Sequence, residues 1–229
     1  VGYQALNGNT TASYNVAVGP NALLSNTTGA TNTAVGREAL DANTTGSDNV
    51  AMGNGALGAN TTASNNTAIG SNALLLNTTG HSNTVLGHDA AEGHTTGEHN
   101  TILGFEASKS ANTGNNNTSV GVSAGYANSS GDNNTNYGRA SGYQITTGSE
   151  NVCIGRHAGF DVTTGGKNVC IGPQAGRGQV TTGDGDLYLA RSNSAAGNSN
   201  TWIAGNASGT CYQGDNTTSW STVSDRRLK

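Results

Sequence analysis

Apolar residues in this chain come in short alternating bursts rather than long runs. In Asn32-Thr33-Ala34-Val35-Gly36 the first and third of the three residues before Gly36 point to one face and Ala34 to the other, which is strand logic with period two. The same phrase returns as Asn15-Val16-Ala17-Val18-Gly19, Asn49-Val50-Ala51-Met52-Gly53, Asn66-Thr67-Ala68-Ile69-Gly70 and Asn151-Val152-Cys153-Ile154-Gly155, at intervals that are multiples of 17. A fixed period means that one structural unit is stacked many times. Counted from the apolar residue before Gly, eleven units start at Val1, Val18, Val35, Met52, Ile69, Leu86, Leu103, Val120, Tyr137, Ile154 and Ile171. The second place is Gly in all eleven. Ala and Leu fill the fifth and sixth places early on (Ala22-Leu23, Ala39-Leu40, Ala56-Leu57), and a polar turn such as Asn26-Thr27-Thr28-Gly29 follows.

This pattern predicts an all-β chain, a parallel β-solenoid (β-roll) of 17-residue coils. Each coil is expected to hold one strand, as around Asn15 to Val18, a second short extended segment, as around Ala22 to Ser25, and tight turns between. β-Branched residues flank the central small residue, which suits a pleated surface. Gly and Asn interrupt every unit too often for a helix. The invariant Gly is expected to supply a positive φ or a close backbone approach. Asn15, Asn32, Asn49, Asn66, Asn83, Asn100, Asn117, Asn134, Asn151 and Asn168 share one place, which predicts an amide ladder along the axis.

Two departures mark the later units. From Val120 onward the Leu of the sixth place becomes Gly, and an aromatic follows in Gly125-Tyr126, Gly142-Tyr143 and Gly159-Phe160. Losing a Leu costs a few kcal/mol if nothing replaces it, so the aromatic is expected to stand in for it. After Ile171 the period gains one residue and then fails. The chain therefore divides into a repeat shaft (1–187), an irregular transition or tip element (188–223) and a short terminal segment (224–229).

Composition sharpens this picture. Only 33% of residues are hydrophobic and 10% charged, with 35 Gly and a net charge of −4. That is too little apolar material for a large round core and too little charge for a disordered chain, and a thin regular stack satisfies both. No basic cluster precedes the last six residues, so no nucleic-acid partner is expected, and no apolar run approaches the length of a membrane helix, so no membrane insertion is expected. Because Val1 begins within a repeat phrase, the chain reads as part of something longer.

The phrase Asn-x-Ala-(Val/Ile)-Gly with its downstream Ala resembles the head repeats of trimeric autotransporter adhesins, which are parallel β-rolls packed as trimers, although the unit there is usually shorter than 17. Runs like Asn26-Thr27-Thr28-Gly29 leading to Asn32-Thr33-Ala34-Val35-Gly36 are also similar to tail-fibre repeats of phages and giant viruses. The chain's last six residues, Ser224-Asp225-Arg226-Arg227-Leu228-Lys229, resemble the opening of the intramolecular chaperone that follows endosialidase-type tail spikes. That resemblance implies trimerisation followed by self-cleavage between Ser224 and Asp225. Ser224 would be the nucleophile and Asp225 the first residue of the released chaperone. Lys229 would be the base, since a serine hydroxyl needs one and a desolvated lysine can serve.

The remaining constellations are weaker. His81, His88, His94 and His99 fall close together with Asp89, Glu92 and Glu98, and imidazole with carboxylate suits a transition metal. The alternative is that these are variable places on a solvated face. Cys153 and Cys170 replace the small Ala of earlier units, either as buried small residues or as a disulfide or thiol cluster. Asn9, Asn26, Asn43, Asn60 and Asn77 match the N-glycosylation pattern. No nucleotide fingerprint is present and no cofactor is expected. Isolated carboxylates such as Glu38, Asp41 and Asp48 argue against an enzyme acting on external substrate.

The function expected from these features is the structural and receptor-binding segment of a homotrimeric viral tail fibre, attaching to a host cell-surface receptor or glycan and located on the virion. Small residues such as Ala17, Ala34 and Ala51 are expected to let the three chains approach closely. The alternative is a trimeric adhesin or matrix filament on the cell surface. A lesser one is an ice-binding solenoid presenting Thr rows.

Overall fold

The computed structural model describes residues 1–110, 113–178, 182–190, 201–205 and 211–213. Its frame is a column of ten three-residue strands, β1 (Val16–Val18), β2 (Thr33–Val35), β3 (Val50–Met52), β4 (Thr67–Ile69), β5 (Thr84–Leu86), β6 (Thr101–Leu103), β7 (Thr118–Val120), β8 (Thr135–Tyr137), β9 (Val152–Ile154) and β10 (Val169–Ile171). Successive strands pair in parallel with residue i opposite residue i+17, as in Ala17↔Ala34 and Ala34↔Ala51. The chain is thus a parallel β-solenoid with one strand per coil. β11 (Leu187–Ala190) continues the stack in parallel, but Val169 now faces Leu187, so the extra residue of the last unit is absorbed in the coil before it. β12 (Thr201–Gly205) and β13 (Cys211–Gln213) then pair antiparallel, which ends the parallel regime. The domain boundary expected at 187/188 falls inside β11.

In each of the ten strands the middle residue is buried and its neighbours face outward. Ala17, Ala34 and Ala51 therefore line the interior of their own coil, and the expectation that they bring three chains together is corrected. A strand of three residues has only one inward place, and in β1 to β4, where a buried Leu faces it from the opposite wall, Ala takes it.

That opposite wall is not the extended segment expected at Ala22 to Ser25. It is a run of turns in which alternate N–H groups bond back three residues (Ala22 N to Gly19 O, Leu24 N to Asn21 O, Asn26 N to Leu23 O), while Leu23 and Ser25 donate to Ala39 O and Asp41 O of the next coil. Such a ribbon needs alternate left-handed residues, and Asn21 (φ 60°) and Leu23 (φ 53°) supply them. Leu is an unusual choice there, since a left-handed residue with a Cβ costs about 1–2 kcal/mol. Full burial of Leu23, Leu40, Leu57 and Leu74 outweighs that cost at about 1.5–3 kcal/mol each.

The same conformation explains the change after Val120. Gly125, Gly142 and Gly159 hold φ of 61°, 56° and 58° at the Leu place, where Gly carries no strain. At Gly142 and Gly159 the volume given up is recovered inside the coil. As the sixth place shrinks from Leu74 through Ala91 to Ser108, the inward strand residue grows from Ala68 to Val85 and Ile102; Gly142 and Gly159 face Asn136 and Cys153, with Ile145 and Val162 entering from the ninth place, whereas Gly125 faces the small Ser119. A Cβ on Gly142 would lie 2.0 Å from Asn136 Oδ1, and one on Gly159 2.3 Å from Cys153 Sγ. The aromatics are not the substitute: Tyr126, Tyr143 and Phe160 stay half-exposed and stack on one another outside.

The invariant Gly is required twice over. Gly53, for example, has φ +142°, and a Cβ there would stand 2.3 Å from Gly70 O in the next coil. The expected Asn ladder is present. Asn66 Nδ2 donates to Gly80 O at 2.9 Å, and its Oδ1 accepts both N–H and Nδ2 of Asn83 at 2.9 and 3.2 Å. A second ladder runs through the ninth place, where Asn43 Nδ2 donates to Asn26 Oδ1 at 2.8 Å and to Gly46 O at 2.9 Å. These amides close the polar corners of the coil, so the buried column between them is flanked by hydrogen-bonded rows.

Candidate functional site

With the inward places committed to packing and the two Asn places to the ladders, only outward columns are available for contact with other molecules. Two faces differ in kind. The first is the outer surface of the strand column. At the first place it carries Val18, Val35, Met52, Ile69, Leu86, Leu103, Val120, Tyr137, Ile154 and Ile171, flanked by the Val and Thr of the sixteenth place. Val18, Met52, Leu86 and Ile154 are 44%, 41%, 46% and 38% exposed although neighbours stand above and below them. No charged residue occupies either column from β1 to β10. With strands about 4.8 Å apart, the stripe is about 45 Å long, longer than isolated exposed side chains account for.

The second face follows the turn ribbon at the third, fourth, seventh and eighth places, and its chemistry changes from coil to coil. In the middle of the shaft Lys109 Nζ lies 2.9 Å from Asp89 Oδ2, 2.9 Å from Glu106 Oε1 and 3.5 Å from Glu92 Oε2. Hydrogen bonds to Asp89 and Glu106 raise the Lys109 ammonium above its ordinary range. Asn72 Nδ2 donates to Asp89 Oδ1 at 3.0 Å, and His88 stands 3.3 Å from the same oxygen and stacks on Phe105. Nearer the C-terminal end the ribbon carries the stacked Tyr126, Tyr143 and Phe160, with the Arg177 guanidinium 5.2 Å from the Phe160 centroid and His157 at its edge.

The four histidines do not converge. His81, His88, His94 and His99 stand at the thirteenth, third, ninth and fourteenth places. His81 Nδ1 accepts Ser64 N–H, His88 belongs to the Lys109 cluster, and His99 pairs weakly with Glu98 at 3.9 Å. Among the described residues no three of His, Cys, Asp and Glu gather as a metal-ligand set. His94 is different: it is fully buried, takes the Asn place in the second ladder, and approaches Asn100 Nδ2 at 3.3 Å. Burial lowers its pKa to about 4, against a backbone hydrogen bond at Gly97 that works the other way. The ladder is broken there, and Asn77 Oδ1 and His94 Nδ1 are both buried without a hydrogen-bond partner.

Cys153 and Cys170 are free thiols, fully buried on adjacent coils. A hydrogen bond with Cys170, together with burial, raises the Cys153 thiol above its ordinary value. This is the environment of inert packing residues rather than of nucleophiles. The glycosylation-type asparagines Asn26, Asn43, Asn60 and Asn77 are buried, with their Nδ2 groups donating inside the ladder. An acceptor amide there is not accessible on the folded chain. Thr27 and Thr44 spend their hydroxyls on carbonyls of the next coil. Ser224, Asp225 and Lys229 lie outside the described residues.

The Lys109 cluster, the second ladder and the aromatic stack were missed in the sequence because the units were aligned for what they share. The same alignment, read down the fourth, seventh and ninth places, would have shown them. No helix among the described residues is long and apolar enough to cross a membrane. No protein-family model, curated protein or solved structure matches the chain.

Proposed function

We propose that this chain is a segment of a homotrimeric attachment fibre, a viral tail fibre or a fibre of the same build, in which the solenoid gives reach and rigidity and presents a receptor-binding surface. The observation that carries the reading is the charge-free apolar stripe on the outer face of the strand column. Among the described residues no element of the same chain covers it. Two further copies of the same chain do, because identical 17-residue registers bring like rungs level along the whole stripe. Contact through the strand face replaces the contact through Ala17, Ala34 and Ala51 that the sequence suggested. In this reading residues 224–229 open a C-terminal chaperone that aligns the three chains and releases itself between Ser224 and Asp225, so the mature polypeptide ends at Ser224.

Light scattering on the purified chain tests the assembly. The expected result is a mass of three chains, falling to one chain in Leu86→Lys/Ile154→Lys, whose new charges lie on the stripe and outside the coil interior. A wild-type monomer at about 100 μM, or a trimer unmoved by the two lysines, would overturn it. Intact mass of the protein made from its complete reading frame tests the processing: a terminus beyond Ser224 on the folded fibre removes the self-cleavage.

A further inference from the structure

The shaft's outward ribbon changes electrostatic sign along its length. In the coils holding Asp89 and Glu106, three carboxylates surround one lysine. Two to four coils beyond the one holding Glu106, the same four places hold Arg139, Arg156 and Arg177 against a single carboxylate, Asp161. Asp161 is partly engaged already, because its Oδ2 accepts Gly178 N–H at 2.7 Å. Arg139 and Arg156 occupy the same place on adjacent coils and are both exposed. Their Cα atoms are therefore about 4.8 Å apart. His157 sits among them, with Arg139 Nη1 3.5 Å from its Nε2. Partial burial depresses its pKa, and the charges of Arg177, Arg156 and Arg139 depress it further. His157 Nδ1 is also buried without a hydrogen-bond partner.

Beside the guanidinium groups run Tyr126, Tyr143 and Phe160, with centroids 4.9 and 5.0 Å apart and planes within 9° and 5°. Arg177 stands over the Phe160 ring. Clustering like charges has an electrostatic cost, and nothing in the coil's packing requires Arg at the third place. That place holds Pro20, Asn54 and Ser71 in other units.

We propose that this patch, built from Arg139, Arg156, His157, Arg177 and the edges of Tyr143 and Phe160, is a binding site for an anionic glycan, the carboxylate or sulfate groups of which pair with the arginines. Guanidinium groups bind such oxyanions through paired N–H donors. The phenol hydroxyl and aromatic edges offer the amphipathic flank that sugar rings and their hydroxyls require. A nucleic acid fits less well. Its bases need free aromatic faces on which to stack, whereas the rings here stack on one another and Arg177 covers Phe160. The proposal locates the ligand contact of the attachment role given above and rests on that reading.

The test uses the 229-residue chain and its Arg139→Ser/Arg156→Ser variant, both replacements being exposed and outside the coil interior. Each is titrated with a heparin-derived hexasaccharide, a uronic-acid hexasaccharide, neutral dextran and a 20-nucleotide single-stranded DNA. Circular dichroism and light scattering are recorded on the same samples. The expected result is binding of at least one acidic oligosaccharide, weakened ten-fold or more by the double substitution and by raised salt, with no binding of dextran. Absence of binding to both acidic sugars, binding that the variant retains, or DNA bound as tightly as the sugars would each overturn it. A trimer that fails to bind removes this site and leaves the fibre. A monomer that binds through the two arginines removes the fibre and leaves the site as a bare glycan contact.

Discussion

Replacing Gly53 by Ala tests the central claim about how the coils stack. The substitution adds one carbon, 2.3 Å from Gly70 O, 2.5 Å from Gly70 C and 2.9 Å from Ser71 N, all backbone atoms of the next coil. At φ +142° the backbone is in a region that residues with a Cβ avoid, at about 1–3 kcal/mol. Relieving the clash means spreading the two coils. That loosens Gly70 N to Met52 O and Asn72 N to Asn54 O, both 2.8 Å and both across that interface, at about 1 kcal/mol each. The sum is about 3–5 kcal/mol, concentrated at one interface of a one-dimensional stack, so unfolding should split into two phases as the flanking blocks uncouple. Gly55→Asn is the control. It also has positive φ, but at +65°, with the added Cβ 3.2 Å from Asn72 Oδ1 and 3.4 Å from Leu75 Cδ1, and Asn21 and Asn72 already occupy that place at φ 60° and 56°. It should stay within about 0.5 kcal/mol of the parent. Urea unfolding followed by circular dichroism measures both. A G53A protein as stable as G55N would refute the stacking argument.

Three further outcomes follow from the interior. Asn66→Ala leaves Asn83 N–H without its partner and Gly80 O with only one of its two amide donors, Asn77 Nδ2, and should cost about 1–3 kcal/mol in urea unfolding, while Thr62→Ala, an exposed residue of a neighbouring turn, should cost under about 0.5. Gly159→Ala places a carbon 2.3 Å from Cys153 Sγ and should destabilise by about 2 kcal/mol, with Cys153→Ala recovering most of it; a double-mutant cycle showing no coupling would contradict the volume exchange. His94 is held neutral in the fold, with its pKa at about 4 against an ordinary 6.5. The unfolded chain therefore takes up the proton first, and stability falls as pH drops from 6.5 towards 4, by at most about 3 kcal/mol. The difference between wild type and His94→Asn across that range isolates this contribution, and equal slopes would show that His94 is not its source.

How much of this was legible depended on whether a residue acts within its own unit or through its neighbour. The strand, the invariant Gly and the ladder at Asn66 each repeat unchanged, so their spacing alone exposed them. The turn ribbon did not show itself, because Leu23 and Leu40 in left-handed conformation look like ordinary core residues; only the alternation of bonds within and between coils reveals why the chain can afford them. The exchange between the sixth and inward places was also hidden. Val85 and Ile102 grow in one column as Ala91 and Ser108 shrink in another, and neither change means anything until the two columns face each other. The histidines misled for the opposite reason. Close in sequence, they are carried to different faces because a short coil turns through its whole circumference in 17 residues.

That geometry also separates the outward chemistry into two kinds. A residue in the strand column meets its counterparts above and below at one fixed spacing, so an uncharged, uniform row such as Val18 through Ile171 has no internal like-charge repulsion and offers the same surface at every level. It suits a partner with the same period. The ribbon column stacks at the same spacing but changes residue type from coil to coil, and there Lys109 can pair with carboxylates from two coils while Arg139 and Arg156 stand together farther on. Uniform rows match repeating partners, and irregular rows mark particular levels along the shaft. If the strand face holds copies together and the ribbon meets the ligand, charge introduced at Leu86 changes mass without abolishing glycan contact per chain, whereas loss of Arg139 and Arg156 does the reverse. A single substitution on either face that removed both properties would mean that the two faces are not independent.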